Sequence, residues 1–191
     1  MPPHLAPAET RDIEISIAID PGSSNKELAL SQDPADFGIS RLCSEFQSGA
    51  LEPSDVVRLL LARIEQREPT VLGWITLASD VDEQASKCDQ QLPSTDPHKP
   101  LIGIPIGVKD LVDVAGLPTR CGSLQASGNP ATIDAIAISR LRDAGAIIFG
   151  KTTTHEYAFG GTTPPTRNPW NADRIPGGSS GGSAAVLGAG M

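Results

Sequence analysis

Apolar residues first recur at helical spacing over Ile39, Leu42, Cys43 and Phe46, positions i, i+3, i+4 and i+7. Asp36 is the expected N-cap of that helix and Gly49 its terminating glycine. A second stripe of Val57, Leu60, Leu61 and Ile64 predicts a helix capped by Ser54 and closed by Pro69. Asp55 falls in its first turn, where the helix dipole favours an acid. Residues 74–77 (Trp-Ile-Thr-Leu) suit a short strand, and Val81, Ala85 and Cys88 suit the inner face of a third helix. Pro93 to Pro100 is a polar loop. The near-continuous apolar run from Leu101 to Val108, ending at Lys109-Asp110, predicts a buried strand. Ala135, Ile138 and Leu141 give one side of a helix from Thr132 to Asp143, stopped by Gly145. Residues 146–149 (Ala-Ile-Ile-Phe) are the next buried strand, with Gly150-Lys151-Thr152 as its exit. A helix and strand joined by so short a turn form an α/β unit, which predicts a sheet covered by helices.

Residues 1–35 differ from this. Ile13, Ile15, Ile17 and Ile19 alternate with Glu14, Ser16 and Ala18, a single-strand pattern broken by Pro21-Gly22-Ser23-Ser24-Asn25. The segment is expected to be an acidic, weakly structured leader, with residues 36–191 forming the domain portion proper.

With 191 residues, 39% hydrophobic and 20% charged, the chain has the composition of one globular domain. The net charge of −8 argues against nucleic acid as a partner, which requires clustered Lys and Arg. The acidity is uneven, since residues 101–191 carry six acids and seven bases. Cys43, Cys88 and Cys121 are too few and too scattered for a disulfide framework or a zinc site, so no metal and a reduced compartment are expected. No run approaches the ~18 apolar residues of a membrane span, so no membrane partner is expected. Met1-Pro2-Pro3-His4 lacks the basic start and apolar stretch of a secretory signal, and a cytoplasmic location follows.

The densest candidate for chemistry is Pro176-Gly177-Gly178-Ser179-Ser180-Gly181-Gly182-Ser183-Ala184-Ala185. Flexible linkers share this composition. The apolar residues on either side, Ile175 before and Val186-Leu187 after, argue instead for a packed turn entering a helix. Glycine tolerates positive φ and close approach, so such a turn can hold a hydroxyl in an unusual backbone setting. Lys109 ends its strand where α/β sheets meet ligands, although a lysine snorkelling out of the core would look the same. Cys121 has no nearby histidine and suits a small packing residue. Ser123 fits equally a turn serine and a hydrogen-bonding group at the site.

Two motifs point elsewhere. Gly145 to Thr152 matches G-x-x-x-x-G-K-[ST], the phosphate-cradling loop, which would make this a nucleotide-binding protein. Its variable positions are Ala-Ile-Ile-Phe, a strand rather than a loop, and the first glycine follows a helix. His155-Glu156 begins like a zinc motif, but Phe159 stands where the second histidine belongs.

Taken together, Gly103-Ile104-Pro105 through Lys109-Asp110, Pro118-Thr119 with Gly122-Ser123, Gly150-Lys151-Thr152, Arg167-Asn168-Pro169-Trp170 and Pro176 through Ala185 resemble the amidase signature family. These are hydrolases that cleave amides with a Ser-Ser-Lys triad. The resemblance covers about the last 155 residues and implies an α/β fold, a central mixed sheet flanked by helices. It implies no cofactor, and a small-molecule amide as partner; association of identical copies is left open. Lys109 matches the family's lysine, and Ser179 matches the relay serine, which in the family sits in a cis peptide. Gly160, Gly161 and Thr162, with Ser180, match positions that contact the amide.

Amide hydrolysis needs a nucleophile, a base and donors for the oxyanion. Lysine can serve as the base when it is an uncharged amine, a form favoured by burial. On sequence, Lys109 has the apolar neighbours for this, and Lys151, followed by Thr-Thr-Thr-His, has the wetter setting. The family's nucleophilic serine lies beyond the relay serine in a further Gly-Gly-Ser turn, and no serine of residues 1–191 has that context. The resemblance therefore implies the N-terminal portion of an amidase fold, truncated at the C-terminus and inactive alone. A non-catalytic binding or remnant protein is the other reading.

Overall fold

In the computed structural model, which describes residues 33–94 and 96–191, the chain is built around the strand Ile147–Thr152, buried at every position. Two strands flank it. With β1 as Trp74–Leu77, β2 as Pro105–Lys109 and β3 as Ile147–Thr152, the order is β1-β3-β2. β1 runs antiparallel and β2 parallel to β3, so the sheet is mixed, as the family resemblance implies. The isoleucine alternation at 13–19 and most of the expected leader lie outside the described residues.

Helices cover both faces. On one, Ile147 and Phe149 pack with residues of α1 (Ile39–Ser48), α2 (Pro53–Val71), α3 (Val81–Asp89) and α5 (Gly181–Gly188). On the other, Val108 and Ile148 pack with Ile138 of α4 (Ile136–Asp143) and with Val114. Val81, Ala85 and Cys88 form the buried side of α3, as their spacing predicts.

Element boundaries move where tertiary contacts compete with local signals. Asp36 does not cap α1. It sits in a 3-10 turn, Pro34–Asp36, its carboxylate 3.7 Å from Arg63 of α2, and Gly38 takes the cap position. α2 begins at Pro53, so Ser54 lies inside it, and it runs through Pro69 to Val71. The carbonyls freed at this end are taken up from afar: Arg167 donates its N–H to Val71 and Thr166 its hydroxyl to Leu72. Glu68 closes the turn by accepting the N–H groups of Gly73 and Trp74 at 3.1 and 2.9 Å. α4 begins at Ile136 rather than Thr132. The preceding residues are tied to the loop after β2, with Asp134 accepting the Ala115 N–H and Ala135 donating its N–H to Asp113. β2 starts only at Pro105, because residues 101–103 form a turn in which Gly103 lies against Pro53 and Phe46 of the helical layer.

A bulge decides which side chains share a face. Ile148 pairs with Ile106 and Gly150 with Gly107, so β3 holds one residue more than β2 over this step. Beyond it, Lys151 lies opposite Val108, and Thr152 opposite Lys109. Since side chains alternate across a strand, Lys109 and Thr152 share the α5 face, while Asp110 and Lys151 share the α4 face.

Candidate active site

The end of β2 delivers Lys109 beneath the glycine-rich loop that precedes α5. Its Nζ donates to the Ser179 hydroxyl at 2.7 Å. The Gly178–Ser179 peptide bond is cis. Ser179 is held by its carbonyl, which accepts the His155 N–H at 3.1 Å and lies 3.4 Å from the Thr163 hydroxyl. That hydroxyl also accepts the Gly181 N–H, fastening the first turn of α5. The glycines are required by contact. A Cβ on Gly178 would strike the Thr162 carbonyl, and one on Gly182 would strike the Thr153 backbone. Below the loop, Ser183 and Thr152 share a hydrogen bond of 2.8 Å.

The residues predicted to contact an amide are placed unequally. Thr162 abuts Gly178 through its main chain, and Gly160 lies against the His155 ring. Gly161 is exposed with open space around it, and Ser180 is the exposed residue that precedes α5. Ser123 is buried and its hydroxyl accepts the Gln125 N–H, a turn role. Burial and the nearby Asp110 carboxylate push the Cys121 thiol up, keeping it protonated. An apolar cleft of about 340 Å³ runs along β2, lined among others by Trp74, Ile106, Gly107, Ser183, Val186 and Met191.

The two lysines reverse the expected environments. Lys109 is partly exposed, whereas Lys151 is completely buried. The reason is strand order: β3 is central, so even its polar stretch is enclosed. Lys151 Nζ lies 3.0 Å from Asp110 Oδ1, itself fully buried, and donates to Thr119 Oγ1 at 2.8 Å and to the Pro118 carbonyl at 3.1 Å. The Asp110 carboxylate also accepts the N–H groups of Arg120 at 3.2 Å and Gly122 at 3.5 Å. Sequence reasoning missed this pair. Its one local signal was an acid directly after Lys109, at the end of an apolar run.

The phosphate-loop match is a strand. The amides it would offer are spent: Ile147 donates to Ile104, and Ile148 to the Gln84 side chain. Its lysine is the one paired with Asp110. Among the described residues, no group of three His, Cys, Asp or Glu side chains is arranged to hold a metal ion. No helix among them is long and apolar enough to cross a membrane.

The sequence profile of the family described as Amidase matches residues 55–191. A glutamyl-tRNA(Gln) amidotransferase subunit from Symbiobacterium thermophilum is 42% identical over 158 residues, covering 79% of this chain and 32% of that protein. The native peptide amidase from Stenotrophomonas maltophilia superimposes with a TM-score of 0.74 at 31% identity, over 80% of this chain and 34% of that one. The corresponding glutamyl-tRNA(Gln) amidotransferase subunit from Thermotoga maritima gives 0.68 at 30% identity, over 83% and 33%. The chain thus spans about a third of the length of the relatives it matches.

Proposed function

The chain belongs to the amidase signature family, and we propose that residues 36–191 carry the base and proton relay of a site that hydrolyses the C–N bond of a small carboxylic amide. The observation that carries this reading is the 2.7 Å contact between Lys109 and Ser179. At that separation a proton passes directly between the two groups. Ser179 relays the proton of a nucleophilic hydroxyl to the free amine of Lys109, and Lys109 returns it to the leaving amine. Gly160, Gly161, Thr162 and Ser180 border this loop and contact the amide.

The nucleophile itself is not among these residues. Ser183 is bonded to Thr152 rather than to a base. Ser180 has no side-chain bond to a base among the described residues. Residues 1–191 alone therefore do not turn over amides. The test joins them to the segment carrying the later Gly-Gly-Ser turn of the Stenotrophomonas peptide amidase and compares both forms on aliphatic and aromatic amides. Turnover that needs the added segment, Lys109 and Ser179 supports the reading. An extended, folded chain indifferent to Lys109→Ala or Ser179→Ala overturns it.

A further inference from the structure

We propose that the buried Asp110–Lys151 pair is a positioning device that fixes, from the opposite face of the sheet, both partners of the Lys109–Ser179 contact. The inference rests on the reading of those two residues as base and relay.

The link runs through bonds. Asp110 is the residue after Lys109, and its backbone is pinned on both sides. Its N–H donates to Thr152 and its carbonyl accepts the Cys121 N–H, each at 3.0 Å. Its carboxylate holds Lys151, Arg120 N–H and Gly122 N–H. Lys109 is thereby presented at the end of a strand that cannot turn. The same carboxylate draws the 119–122 loop onto the sheet. From there the Cys121 carbonyl accepts the Tyr157 N–H at 2.8 Å, and Gly122 packs against the Thr154 carbonyl. That strut carries His155, whose N–H holds the Ser179 carbonyl. One ion pair thus fixes the amine through the chain and the hydroxyl through the strut.

A pair kept only for stability would be an odd choice, since replacing buried ion pairs by apolar groups is often neutral or favourable. That makes the test practical. Single substitutions strand a buried charge, so the informative variant is the double substitution Asp110→Asn/Lys151→Met. In the purified 191-residue chain, Lys109 is acetylated by a limiting dose of an N-hydroxysuccinimide ester and followed by peptide-resolved mass spectrometry. Ser179→Ala frees the amine and should raise the rate about five- to tenfold, the scale of one net hydrogen bond. The double variant, melting cooperatively, should label at the Ser179→Ala rate, and adding Ser179→Ala should change nothing further. Amide exchange at His155 should quicken while that of β3 stays protected. Thr119→Val, which trims one bond from the ammonium and leaves both charges, should move labelling the same way.

A folded double variant that labels at the wild-type rate and keeps the full Ser179→Ala effect overturns the proposal, as does unchanged labelling in a folded Thr119→Val chain. Labelling requires no turnover, so an error in the catalytic reading leaves this result standing, and the reverse holds too.

Discussion

Lys109 and Lys151 stand on adjacent strands, one residue out of register, and project to opposite faces of the same sheet. One meets a serine hydroxyl at a partly open loop, and the other is sealed against a carboxylate. The bulge between Ile148 and Gly150 separates them, because without it the alternation would carry Lys151 to the face of Phe149.

Their substitutions should therefore differ in kind. In an extended, active form of the chain, Lys109→Ala should abolish turnover with little loss of stability. Lys151→Ala should cost about 3–5 kcal/mol, because it leaves the buried Asp110 side chain without its counter-ion. Denaturant melts beside rate measurements check this. A Lys151→Ala protein as stable as wild type would show that the ion pair does not hold the fold.

The helical faces were legible because they rest on short-range spacing, and the nearness of Lys109 to Ser179 was legible only through the family resemblance, which pairs those two motifs across 70 residues. The burial of Lys151 was not. Gly150-Lys151-Thr152 looks like a wet exit locally and becomes interior because β1 and β2 flank β3 and the loop after β2 brings Asp110, Pro118 and Thr119 over the Lys151 side chain. The end of α2 was illegible for a similar reason. Pro69 reads as a stop, yet Thr166 and Arg167, distant in sequence, satisfy the carbonyls that follow it. Positions whose partners are close in the chain, or that carry a family motif, could be read, and those completed by distant segments without one could not.

The approach of α5 to β3 makes a sharp demand on Gly182. An added methyl group would fall on the Thr153 backbone, a neighbour that cannot rotate away. Gly182→Ala should destabilise the fold by about 1–3 kcal/mol through overpacking. It should also loosen the Ser179 loop, read as faster acetylation of Lys109. Gly161→Ala, with open space around the site, should leave the melt unchanged.

Glu68 should give the fold a pH dependence. Burial raises its carboxyl above the ordinary value of 4.5, a shift only partly opposed by the N–H groups of Trp74 and Gly73. A carboxyl raised in the folded state stabilises the fold while protonated, and that contribution is lost as pH rises from the unfolded value through the folded one. The stability of the wild type relative to Glu68→Gln should therefore fall as pH rises past 4.5. A difference that grew over that interval would show the two backbone hydrogen bonds outweighing burial.

The most consequential expectation concerns residues 1–191 without further segments. Members of a serine triad act as a unit, so a site without its nucleophile loses most of its rate however well base and relay are set. Lys109 and Ser179 are already at hydrogen-bond distance, and the loop holding them is fastened by His155, Thr163 and Gly181. On the proposed reading Lys109 and Ser179 are already placed as base and relay, and the attacking hydroxyl and the oxyanion's amide donors would come from a further segment. The purified chain should show no turnover of simple amides above background, while Lys109 acetylation still responds to Ser179→Ala. Turnover by this chain that vanished with Ser183→Ala and with Lys109→Ala would make Ser183 the nucleophile. The bond between Ser183 and Thr152 would then have to break in each catalytic cycle, and the roles assigned to Lys109, Ser179 and a later serine would fall.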